Sequence, residues 1–164
     1  MPMRTFNTEL TTNATNPFIS ATKQTFSTML NCVPERESLT FKANGSGPPP
    51  YEVSAIINVT GSADGLVLLS MPVRTSLNIV SRILRTKAES LNDEVIDAVG
   101  EVTNIICGAA KVQMEELQLQ IDIPTVVVGR NRVIRYPGQI TPLSAGFSSE
   151  IGEFALEFGF HRSE

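Results

Sequence analysis

At 164 residues the chain is long enough for one domain with a substantial core, and short for two. Hydrophobic residues make up 41% and charged residues 18%, which excludes a disordered chain. A net charge of −4 with scattered basic residues excludes the clustered basic face that nucleic-acid phosphates require.

The first 15 residues, rich in Thr and Asn with little periodicity, read as a flexible lead-in to a single domain over 16–164. Asn16 as N-cap and Pro17 at the first helical position signal a helix in "NPFISATKQTFSTMLN". Phe18, Ala21, Phe26, Met29 and Leu30 form its apolar side. "LTFKA" reads as a short strand, and "NGSGPPP" (Asn44 to Pro50) as a loop. Two β-rich runs, Val53 to Val59 and Leu66 to Met71, flank the turn residues of "TGSADG" and predict a hairpin. "TSLNIVSRILRT" has helical spacing in Leu77, Val80, Ile83 and Leu84, with Thr75 as its expected cap.

A long helix follows, capped by Asn92, with Asp93 and Glu94 favourably placed in its first turn. "LQLQIDIPTVVVG" alternates through Leu117, Leu119, Ile121 and Ile123 as a strand would. "RVIRY", "LSAGFSSE" and "EFALEFGF" read as further strands, the last with Phe154, Leu156, Phe158 and Phe160 on one face. Hairpins without strand–helix–strand alternation predict an α+β fold, an antiparallel sheet of about six strands with three helices. The two longer helices match in apolar register, Phe18 on Val95, Ile19 on Ile96, Ala21 on Ala98 and Met29 on Ile106. That match predicts a pseudo-symmetric pair on one face of the sheet.

No apolar run approaches the roughly 20 residues of a membrane helix, and the opening residues lack a secretory pattern. The expected compartment is therefore the cytoplasm. There Cys32 and Cys107 would be reduced, buried, small hydrophobes. "NGSGPPP" lacks the Lys-Ser/Thr of a phosphate loop, and His161, the single His, lies near the end of the chain and reads as a surface residue.

The chemistry concentrates in "DEVIDAVGEVTNIICGAAK" (Asp93 to Lys111). At about 100° per residue, Glu94, Asp97, Glu101, Asn104, Gly108, Lys111 and Glu115 share one narrow stripe, opposite Val95, Val99, Val102, Ile106 and Ala109. Glu101 and Asn104, three residues apart, are surface neighbours. A Glu-x-x-Asn pair on a solvated helix face is common and by itself unspecific. Asn is a poor interior helix former, however, and Gly100 and Gly108 each cost about 1 kcal/mol relative to Ala. Such glycines are retained for close approach of a partner surface or for helix packing.

"DAVGEVTNIICGAAK" resembles the active helix of the CheC/CheX/FliY family of chemotaxis phosphatases, most closely the CheX type. "NPFISAT…TFSTML", "NVTGSADGLVLLSM", "IPTVVVG" and "GEFALEFGF" resemble other segments of that family, so the likeness spans most of Asn16 to Phe160. It implies a phosphatase that acts on the aspartyl-phosphate of a CheY-type response regulator. Glu101 matches the residue that engages the regulator's lysine, and Asn104 the amide that orients the attacking water. Asp97 matches an acidic or Ser position one turn earlier, and Gly100 and Gly108 would leave bare backbone at the partner contact. Pro124 resembles a proline that follows the motif, without a catalytic role assigned to it. The likeness implies no cofactor of the chain's own, Mg²⁺ residing in the regulator, and a homodimer. Gln24 and Ser27 stand where CheC-type members repeat the pair on the first helix, which leaves one active helix. The alternatives are a non-catalytic module of the same fold that binds a response regulator or flagellar-switch component, and a dimeric domain whose helix face is merely solvated.

Overall fold

The computed structural model describes residues 2–42, 47–136 and 140–163. In chain order the elements are α1 (Pro2–Asn13), α2 (Thr15–Leu30), β1 (Glu35–Phe41), β2 (Val53–Thr60), β3 (Ala63–Met71), α3 (Val73–Leu84) and α4 (Asp93–Val112). A single 3-10 turn (Glu115–Leu117) then leads to β4 (Gln120–Ile121), β5 (Thr125–Val128), β6 (Leu143–Ser148) and β7 (Phe154–Arg162). The seven strands form one antiparallel sheet in the order β1-β6-β7-β3-β2-β4, with β5 on the same edge of β2 as β4. The α+β class and the antiparallel sheet agree with the sequence. The alternating run after α4 is broken into two strands, and "RVIRY" contributes none to the sheet.

The hairpin forms where Val53↔Met71 and Val59↔Gly65 set its register. Gly61, at φ +121°, makes the turn in a region closed to most side chains. The odd-numbered residues of β2 and β3 face the helices: Val53, Ala55, Ile57, Val67, Leu69 and Met71 are fully buried there. Phe154, Leu156, Phe158 and Phe160 line the same layer from β7. Phe18 of α2 stacks on Phe158 and Phe160 at centroid distances of 5.0 and 5.8 Å, and Phe26 stacks on Phe154 at 4.5 Å. Offset stacks of this kind add about 0.5–1.5 kcal/mol each beyond the burial of their area. They seat α2 beside α4 on one side of the sheet.

Several local expectations are corrected. The expected lead-in is helical over Pro2–Asn13 and runs almost directly into α2, whose N-cap is Ala14 and not Asn16. A partner in space explains this. β6 covers β7 only as far as Phe158, leaving the backbone of Phe160 open on that side. Thr11 fills the gap, its Oγ1 accepting from Phe160 N at 3.0 Å and donating to Phe160 O at 3.4 Å. Thr75 does not cap α3. Pro72 holds that position, and Thr75 is buried, donating to Glu153 O at 2.9 Å. β1 begins at Glu35, before the expected "LTFKA", and as an edge strand it is exposed on both faces and so carries no apolar alternation. Residues 43–46, within or beside the expected loop, lie outside the described residues.

"RVIRY" forms no strand beyond a bridge between Ile134 and Gly47. Instead Ile134, Tyr136 and Ile140 pack with Leu66 and Leu68 on the face of the sheet away from the helices. On that face Glu157 of β7 is 1% exposed, and accepts from Lys42 Nζ at 3.3 Å and Ser144 Oγ at 3.1 Å. Burial pushes its carboxyl pKa above the ordinary 4.5, against the opposing pull of Lys42, Ser144 and Tyr136. A group that holds its proton more tightly folded than unfolded costs stability as pH rises from the ordinary value through the raised one. Glu157→Gln removes that titration. Its melting temperature should fall less than that of the wild type as pH climbs through this window, and parallel curves would contradict the burial of the charge.

Candidate functional site

The stripe on α4 begins with the way the helix is made. Asn92, in extended conformation, accepts from Val95 N through Oδ1 at 3.1 Å, as expected, a cap worth about 1 kcal/mol. Asp93 and Glu94 lie at the positive end of the helix dipole and Lys111 at the negative end. Val95, Val99, Val102 and Ile106 are fully buried, each contributing about 1.5–3 kcal/mol of burial. Ala110, and not Ala109, completes that face. Thr103 is buried beside them and turns its hydroxyl back to Val99 O at 2.7 Å. The helix is thereby held in one rotation about its axis.

That rotation exposes Glu94, Asp97, Glu101, Asn104 and Lys111. Among the described residues, the side chains of Asp97, Glu101 and Asn104 form no hydrogen bond or ion pair. The carboxylate of Glu101 and the amide of Asn104 therefore stand three residues apart on one exposed helix face. Groups so placed can enter a partner's cavity. Two surface depressions, of about 310 and 180 Å³, are lined by other residues, around Arg82 and Glu150 and around Pro17 and Met114. His161, half-buried on β7, and the buried Cys32 and Cys107 take no part in the stripe. Burial pushes the Cys107 thiol up to about 12. No helix among the described residues is long and apolar enough to cross a membrane.

The two glycines separate. Gly108 is partly exposed, with open space where a Cβ would point, so bare backbone does lie one turn beyond Asn104. Gly100 is buried, and a Cβ there would meet Pro124 Cγ at 3.4 Å and Val126 Cγ2 at 3.5 Å. Its backbone is covered by the chain's own β4–β5 segment, unlike that of Gly108. The alternation through Ile123 had hidden that segment's shape. β2 pairs Val59 with Ile121 and Ile56 with Thr125, so Asp122, Ile123 and Pro124 oppose only Ile57 and Asn58. The extra residue makes a β-bulge, and Ile123 emerges from it 82% exposed. Pro124, which has no N–H for the ladder, was the available signal.

An antiparallel sheet backed by packed helices, one presenting an acid and an amide to solvent, matches known chemotaxis proteins in fold. Residues 53–148 match the family model described as Chemotaxis phosphatase CheX. The chain belongs to the CheX family. It is 32% identical over 104 residues to the CheY-P phosphatase CheX of Thermotoga maritima, covering 62% of this chain and 67% of that one. The crystal structure of chemotaxis protein CheX from Desulfovibrio desulfuricans superposes with a TM-score of 0.80 at 27% identity, over 91% of this chain and 99% of that chain. The Borrelia burgdorferi CheX, solved in a CheX–CheY–BeF3–Mg²⁺ complex, shares the fold with a TM-score of 0.73 at 24% identity, over 90% and 97%.

Proposed function

We propose that this chain accelerates hydrolysis of the aspartyl-phosphate of a CheY-type response regulator, with Glu101 and Asn104 as its working pair. The observation that carries the reading is the pair itself: adjacent, exposed and unpartnered on a helix whose rotation is fixed by its core face. An acyl phosphate is already activated, and Mg²⁺ in the regulator neutralises its charge. The missing element is a water held in line with the phosphorus. The Asn104 amide can donate to one acceptor and accept from that water, as the water-positioning Gln of GTPases does. Water then adds to phosphorus, the bond to the aspartyl oxygen breaks, and inorganic phosphate and the free carboxylate result.

Glu101 makes a charge-assisted contact with the regulator's lysine and fixes the approach. Asp97, one turn earlier on the same line, borders the contact, and Gly108 leaves room beyond Asn104. The name of the Thermotoga maritima relative and the complex formed by the Borrelia burgdorferi protein support this choice of partner. The test is the rate of phosphate loss from a phosphorylated CheY-type regulator with Mg²⁺, with and without the protein. Acceleration supports the reading, and binding without acceleration would make the chain a non-catalytic regulator-binding module. On the family likeness the chain acts as a cytoplasmic homodimer. Light scattering should then give about twice the chain mass of 17.8 kDa, and a monomer mass would refute that.

A further inference from the structure

We infer that Ile123 is a positioning residue of the same site, an apolar contact that a regulator covers when Glu101 and Asn104 enter its phosphorylated pocket. This rests on the phosphatase reading above. A lone exposed aliphatic residue is ordinary on a protein surface. Ile123 differs in how it is held. At 82% it is more exposed than Val33 and Val112, each 67%, and it is the middle residue of the bulge between β4 and β5. Each neighbour of Ile123 is tied down. Asp122 N donates to Asn58 O at 3.0 Å, and Asp122 Oδ1 accepts from Ile123 N at 2.8 Å. Pro124 restricts Ile123 to extended conformations, and its Cγ lies 3.4 Å from where a Cβ on Gly100 of α4 would stand.

That last contact places the bulge beside the working pair. Gly100 directly precedes Glu101 and lies one turn before Asn104, and Ile123 is one residue from the proline that faces it. Its Cα therefore lies within roughly 12 Å of the Gly100 Cα. A standard protein–protein contact covers about 800 Å² on each partner, a disc of roughly 16 Å radius. Adding the step from Gly100 to Glu101 puts the Ile123 Cα within roughly 16 Å of the Glu101 Cα, at the flank of a contact centred on the pair. A bulge aims a side chain where the regular ladder would turn it inward, and the closed backbone around Ile123 leaves little freedom to lose on binding. Glu101 and Asn104 supply direction and chemistry, and Ile123 supplies apolar area at the flank.

The test is steady-state hydrolysis of the phosphorylated regulator by wild type, Ile123→Ser and Ile123→Leu, with melting temperatures measured in parallel. Loss of the buried aliphatic area in Ile123→Ser should raise KM about tenfold. Its kcat and melting temperature should match the wild type, and Ile123→Leu should restore KM. Unchanged KM in Ile123→Ser beside an active wild type would overturn the assignment and leave the phosphatase reading intact. A fall in kcat or in melting temperature would also overturn it, since the residue would then serve chemistry or folding. A wild type that does not accelerate phosphate loss would overturn both.

Discussion

Asn104→Ala is expected to abolish the accelerated loss of phosphate, lowering kcat by at least about 100-fold, because an unheld water loses the alignment that the amide imposes. KM should change little, since the amide contributes mainly once the water is in flight toward phosphorus. Glu101→Ala is expected to act through KM instead. A charge-assisted contact worth about 1.5–3 kcal/mol is removed, raising KM by roughly 10- to 100-fold and kcat/KM falling with it. Both side chains are exposed, so neither change should disturb the fold. Replacing Asn by Ala inside a helix favours helicity by about 0.5 kcal/mol, so Asn104→Ala should melt no lower than the wild type. An inactive variant of undiminished stability separates chemistry from folding. Full activity in Asn104→Ala would remove the amide from the mechanism.

Phe158→Ala is expected to be the most damaging single truncation of the core, at about 3–5 kcal/mol. Phe158 is fully buried at the centre of the sheet, where β7 is paired on one side with β3 through Val67 and on the other with β6 through Leu143. Its ring lies 5.0 Å from that of Phe18, with 17° between their planes. The truncation therefore empties space in the sheet layer and removes a platform of α2 at once. For a chain of this size each kcal/mol lowers the midpoint by about 2–4 °C, so a drop of roughly 6–20 °C is expected in thermal unfolding followed by circular dichroism. Phe41→Ala, at a site 46% exposed on the edge strand β1, should shift the midpoint far less. Equal effects at the two sites would contradict the layered core.

The features legible in the sequence are those whose physics is local. The hairpin announced itself through β-rich runs around Gly61, and α4 through its Asn92 cap and its apolar spacing. The line of Glu101 and Asn104 followed from helix geometry alone, as did the aromatic face of β7, because periodicity fixes which side chains share a side. Beyond these, the answer lay in contacts between segments distant in the chain. Thr11 is in a helix and not a lead-in because Phe160, 149 residues away, offers it an open backbone N–H and C=O. Ile134 and Tyr136 lie across the sheet because Leu66 and Leu68 need a cover. Gly100 is covered because Pro124 arrives there from the bulge between two strands. The apolar alternation through Ile123 pointed inward until the bulge turned it out. A sequence determines the period and polarity of each element, whereas register between strands and the covering of a face depend on what meets them in space.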